Sequence, residues 1–166
     1  VLPESARLRY REMSLDDLDE LAGLLGDREV MAYYPAPMTR QDATRWIEWN
    51  QGLYRSRGHG LWVLTLRESG EFVGDCGLTP QMVDGVEELE VGYHVRPALQ
   101  RQGYATEAAA ASRDLARDEL GARRLTAIIH PDNRPSQRVA EKIGLHPEKR
   151  TRDSRGDDIV LYAASW

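Results

Sequence analysis

The chain has 166 residues, 41% apolar and 30% charged, with a formal net charge of −5. That length suits one domain over residues 1–166, and no apolar run approaches the roughly 18 residues that a membrane span needs. The acidic balance argues against nucleic acid as a partner and suits a cationic amine better, while a single cysteine, Cys76, excludes an internal disulfide and leaves no cysteine-based metal site.

In chain order, Arg7 to Arg11 alternates polar and apolar residues and predicts an opening strand. Ser14 reads as an N-cap, with Asp16, Asp17 and Asp19 in the first turns and Leu15, Leu18, Leu21 and Leu25 at helical spacing, so a helix should run to about Gly26. Thr39 and Asp42 form a capping-box pattern for a second helix, whose face carries Ala43, Trp46, Ile47, Asn50, Leu53 and Tyr54. Gly58-His59-Gly60 ends it. Leu61–Leu66 and Glu71–Leu78 predict a hairpin around Glu68-Ser69-Gly70, and a further strand passes through Leu89, Val91, Tyr93 and Val95 to stop before Pro97. A helix from Gly103 to about Glu119 follows. Leu125–Ile129 is the next strand, Pro135–Ile143 a short helix stopped by Gly144, and Ile159–Ala163 the last of the closing strands. Cytoplasmic residence is the expectation, since the arginine-rich stretch through Arg11 has no apolar signal segment.

The strand-turn-helix passage from Leu89 to Ala108 carries the chemistry. Gly103 lets the chain approach a phosphate closely, and a run of backbone N–H groups from Arg101 to Thr106 should be left unpaired at the helix start, where free donors and the helix dipole favour an anion. An early G-x-G-x-x-G or a G-K-[ST] loop is absent, which sets aside dinucleotide and P-loop readings.

Gln100 to Ala105 fits Q/R-x-x-G-x-G/A and resembles the acyl-CoA pyrophosphate loop of the GCN5-related N-acetyltransferase (GNAT) superfamily. His130 to Leu145 resembles the N-x-x-S-x-x-v-x-E-K-x-G-F segment of its RimJ/RimL-like branch of ribosomal-protein N-terminal acetyltransferases, and Glu90-Val91-Gly92-Tyr93 and Gly103-Tyr104-Ala105-Thr106-Glu107-Ala108 match two further motifs of that branch. The resemblance implies a mixed α/β fold with a mostly antiparallel sheet of six to seven strands, splayed between the fourth and fifth and flanked by about four helices. It also implies acetyl transfer from acetyl-CoA to a primary amine in a ternary complex, without metal, and an occasional homodimer. In that family the donor's pantetheine arm pairs with the free edge of the fourth strand, here near Tyr93, Val95 and Arg96. Its pyrophosphate meets Gln100, Arg101, Gln102, Gly103, Tyr104, Ala105 and Thr106. Asn133 would bond the arm, and Ser136 would lie near the thioester sulfur.

The resemblance has two departures: Ala140 stands where many members carry a tyrosine acid, and Leu145 replaces a phenylalanine. Glu90 is then the candidate base, Ser136 the candidate acid for the sulfur, and a backbone N–H near Val95 the donor to the thioester oxygen. Plainer readings stand beside these: Glu90 as a solvated strand carboxylate, Ser136 as a packing residue, Asn133 as a turn residue, and His94 as an ordinary strand side chain. Tyr33, Tyr34 and Trp46, in and after the loop between the first two helices, are candidate walls of an acceptor pocket, or simply core. Two other functions remain open: a catalytically silent acyl-CoA sensor, and an unrelated phosphate-binding domain.

Overall fold

A computed structural model describes residues 1–166. Seven strands form one sheet: β1 (Leu8–Glu12), β2 (Leu61–Leu66), β3 (Phe72–Val83), β4 (Val86–Val95), β5 (Arg124–Ile129), β6 (His146–Arg152) and β7 (Asp158–Ser165), in the spatial order β1-β2-β3-β4-β5-β7-β6. Four helices flank it: α1 (Leu18–Leu25), α2 (Arg40–Arg57), α3 (Tyr104–Asp118) and α4 (Arg134–Lys142).

Local chemistry places these elements. Ser14 and Thr39 both form complete capping boxes, with Asp17 and Asp42 returning the bond to the cap backbone, although the Ser14 box opens on a single 3-10 turn before α1 begins. The strand pair β3–β4 is longer than the apolar alternation suggests. Asp84 and Gly85 both take positive φ, 49° and 79°, and this two-residue turn extends the ladder to Val83 opposite Val86. Strand β6 escapes a pattern-based reading altogether, because His146 to Arg152 is an edge strand with nearly every side chain exposed and so shows no alternation.

The helices cover the sheet on both faces. The alanine face of α3, with Ala140 of α4, packs against Trp62, Leu64, Cys76, Val91 and Val95, while α1 and α2 bury Leu21, Leu25 and Ile47 against Leu61, Val63 and Phe72. Cys76 lies wholly inside the first of these cores beside the Ser112 hydroxyl, as a small buried side chain.

The feature that makes a site is the junction of β4 and β5. These two parallel strands are joined at a single register pair, Glu90 with Thr126, supported by the Thr126 hydroxyl donating to the Leu89 carbonyl at 2.9 Å. Beyond that point they part, and residues 91–95 on the β5 side of β4 have no strand neighbour.

Candidate active site

Alternation along β4 sends Val91, Tyr93 and Val95 towards α3 and α4, and Glu90 and His94 to the α1/α2 face. The backbone alternates as well. The Arg96 N–H donates to the Val73 carbonyl of β3 at 2.9 Å, so the N–H groups of Tyr93 and Val95 face the opening between β4 and β5. Arg96 itself corrects the expectation that it belongs to the free edge. Its carbonyl accepts from Leu99 at 3.0 Å, leaving both of its backbone groups committed, and its guanidinium pairs with Glu71.

At the end of β4 a 3-10 turn over Pro97–Leu99 leads into the glycine loop. Gln100 ties it back, donating through Nε2 to the Val95 carbonyl at 2.9 Å. Arg101 and Gly103 then adopt left-handed φ values of 64° and 83°, with Gly103 as the cap of α3. The resulting curl leaves six successive amides, Arg101 to Thr106, donating to no protein acceptor; the first N–H engaged by the helix is that of Glu107, to the Gly103 carbonyl. Sequence reasoning missed the brace beneath this loop. Arg7 bonds the Gln102 carbonyl at 2.9 Å and Glu107 at 2.7 Å and lies 4.3 Å from the centroid of the Tyr104 ring. Glu107 also accepts from Ser5 and from the Arg7 amide. The carboxylate is local to the G-Y-A-T-E-A motif, but its partners stand near the other end of the chain.

On the α3/α4 side, Asn133 caps α4 by accepting the Ser136 N–H at 3.3 Å, which leaves its amide N–H groups for other partners. The Ser136 hydroxyl donates to the Tyr93 hydroxyl at 3.1 Å, and Tyr93 in turn donates to the Ser136 carbonyl at 2.7 Å. Tyr93, expected only for its backbone, thus joins β4 to α4. Burial raises its phenol above the ordinary range and keeps it neutral.

On the opposite face, Glu90 is half-buried, with the Thr79 hydroxyl 3.5 Å from Oε1. Burial pushes its carboxyl up to about 7; an N–H from Ile128, the His94 charge and Thr79 oppose the shift without cancelling it. His94 is far more than a strand side chain. Its Nδ1 lies 2.7 Å from the fully buried Asp75 carboxylate and its Nε2 2.8 Å from the Tyr34 hydroxyl, while the Trp46 indole N–H donates to the other Asp75 oxygen at 3.3 Å. Burial opposes charge on the imidazole, but Tyr34 and Asp75 together outweigh it and raise its pKa. Two expected acceptor residues, Tyr34 and Trp46, are therefore locked to β3 and β4. Tyr33 stands apart, with its ring 5.2 Å from that of His130 at the end of β5.

Glycine curl, free strand edge and α4 cap all fall within the stretch of the chain that one family model covers. The family described as Acetyltransferase (GNAT) domain matches residues 7–146. The chain belongs to the GNAT acetyltransferases. As a GNAT acetyltransferase it is an enzyme that moves an acetyl group to an amine, in a family that binds acetyl-CoA. Among its relatives, YkkB of Bacillus subtilis strain 168, an uncharacterized protein, is 38% identical over 147 residues, covering 88% of this chain and 86% of that one. An acetyltransferase structure from Agrobacterium tumefaciens superposes with a TM-score of 0.86 at 24% identity, covering 98% and 93% of the two chains. The aminoglycoside acetyltransferase AAC(6')-Ib, solved with coenzyme A and kanamycin, shares the fold at 15% identity with a TM-score of 0.76, covering 95% and 94%.

Proposed function

We propose that this enzyme transfers the acetyl group of acetyl-CoA directly to a primary amine while both substrates are bound, in the manner of the RimJ/RimL-like branch. The donor supplies an activated thioester carbonyl. Its anionic diphosphate fits the six free amides of Arg101 to Thr106, which a helix dipole reinforces, and its extended arm fits the unpaired N–H groups of Tyr93 and Val95. The side chains of Arg101 and Gln102 are exposed, so the loop recognises through its backbone.

Glu90 carries the reading, because a carboxyl held near pH 7 at the point where β4 and β5 part is a base matched to working conditions. As the amine nitrogen bonds the carbonyl carbon, its proton passes to the Glu90 carboxylate, directly or through one water. An α-amine with a pKa of about 7.7–8.0 needs less of this help than a lysine near 10.4. The carbon–sulfur bond then breaks, and the departing sulfur takes a proton from the Ser136 hydroxyl, which the Tyr93 hydroxyl holds in place; the proton on Glu90 leaves to solvent, and solvent reprotonates Ser136. That pair of hydroxyls offers a route around the tyrosine that Ala140 replaces. Tyr34 and Trp46 wall the acceptor side, whereas Tyr33 lies against His130.

Thiol release from acetyl-CoA with a panel of amines, followed by mass spectrometry of the products, tests this. The expected result is amine-dependent release, with kcat/KM rising as pH passes upward through about 7, where Glu90 ionises. Tight CoA binding without release by any amine would instead indicate an acyl-CoA sensor.

A further inference from the structure

Next to the His94 network lies a cleft of about 450 Å³, lined by the α1–α2 loop, α2 and Arg155 of the β6–β7 turn. That volume suits a small ligand or the end of a larger one. Its walls are Met31, Tyr34, Pro35, Met38, Trp46 and Trp49. The Trp46 and Trp49 rings stand 5.8 Å apart at 49°, and the His94 bond to Tyr34 and the Asp75 bond to Trp46 fix two of the walls before any ligand arrives. A preformed aromatic wall loses little entropy on binding and favours flat apolar groups.

The charges in the lining are one carboxylate, Asp42, against two guanidiniums, Arg45 and Arg155. None is idle. Asp42 accepts the Thr39 N–H at 3.0 Å and pairs with Arg45 at 3.0 Å. Arg155 is flanked by Asp153 at 3.3 Å and Asp157 at 3.5 Å. The carboxylate behind the wall, Asp75, is neutralised by His94. Asp42, the one carboxylate in the lining, is therefore already paired, and Glu90, outside that lining, serves the reacting nitrogen, so a second or third positive charge entering the cleft would meet two arginines and no unpaired carboxylate of the wall.

We infer that the acceptor is a single primary amine carried on a flat apolar body, not a polycation. This inference rests on the acetyl-transfer reading above. The amine could belong to a free arylalkylamine or to the N-terminus of a peptide that begins with an aromatic residue; both offer the same chemistry to the cleft.

Four acceptors at matched concentration separate the outcomes: phenethylamine, a tripeptide amide beginning with Phe, ethylamine and spermidine. Phenethylamine or the tripeptide should exceed spermidine in kcat/KM by about tenfold or more, and which of the two leads identifies the source. Spermidine as good as either would overturn the inference. Trp49→Ala should lower kcat/KM about tenfold for the aromatic acceptor and less than threefold for ethylamine, with Trp49→Phe recovering most of the loss; an equal fall for both amines would remove Trp49 from acceptor recognition and sink the proposal. Quenching of tryptophan fluorescence by phenethylamine, measured with CoA present, is independent of turnover. Saturable quenching without acetylation would overturn the transfer reading and leave the cleft assignment standing, whereas acetylation with no aromatic preference would do the reverse.

Discussion

Between Arg101 and Thr106 the protein presents six backbone amides on a curl set by two left-handed residues, and their side chains are exposed or only partly buried. The acceptor side is the reverse. Tyr34, Trp46, Asp75 and His94 come from four separate segments and meet through side-chain hydrogen bonds around one buried ion pair. A backbone site tolerates changes of side chain and fails when its geometry is forced, while a side-chain site keeps its geometry only while every partner is present. The first arrangement suits a ligand that is the same in every relative, and the second suits one that changes.

The largest expected effect is on the side-chain region. Asp75→Asn removes the charge that balances a buried imidazolium, and unfolding free energy should fall by about 3 kcal/mol. Urea denaturation measures that loss. CoA affinity, read by titration at a temperature where the variant is folded, should stay within threefold of the parent; a collapse of CoA binding would show that the two regions are not independent.

Next in size come the proton-handling groups between the two regions. Glu90→Gln and Ser136→Ala should each lower kcat by ~10²-fold with little change in CoA affinity, as expected for groups acting in the transition state. Glu90→Gln should also abolish the pH limb near 7, and with an α-amine acceptor its deficit should shrink above pH 8, where free amine forms unaided. The same variant carries a stability signature. A carboxyl raised from 4.5 to about 7 on folding binds more protons in the native state, so its contribution falls as pH rises between those values. Glu90→Gln should therefore match the parent near pH 4 and exceed it by up to about 3 kcal/mol at pH 8. A base that is merely solvated would show neither effect.

Gly103→Val tests the backbone region. At a φ of 83° a branched residue is strained, and its Cβ would stand 3.3 Å from the Arg7 guanidinium, so CoA binding should weaken by roughly 1–3 kcal/mol without a change in the acceptor's KM. The smallest effect expected is that of Arg101→Gly, which keeps the left-handed conformation and removes only a solvent-facing side chain; CoA affinity should move by less than threefold. A larger loss would assign Arg101 a direct phosphate contact and blur the contrast.

This contrast also explains what could be read from the residues alone. The glycine curl, the Ser14 cap, the Thr39 capping box and most of the apolar stripes are local patterns and appear in the structure where their spacing put them. Leu15, read into the first helix, is instead exposed on the 3-10 turn before it, and the bond completing a box at Ser14 goes beyond the cap read there. Strand β6 did not announce itself because an edge strand exposed on both sides leaves no alternation. The Asp84-Gly85 turn did carry a hairpin signal, in two residues that a stripe of charged neighbours obscured. His94 read as ordinary because its partners lie 19 and 60 residues away, and nothing local marks a histidine as half of a buried ion pair. Arg7 and Glu107 were invisible as a pair for the same reason, being joined only when β1 and α3 pack.

The buried Cys76 has a practical consequence. Burial pushes its thiol up to about 12, above the range in which thiolate forms, and the side chain is closed to solvent. As the sole cysteine it leaves the native enzyme silent towards aromatic disulfide reagents. Every equivalent of chromophore released in such an assay then reports a turnover, with no protein background to subtract, and a slow rise in that background on heating would time the opening of the core beneath α3.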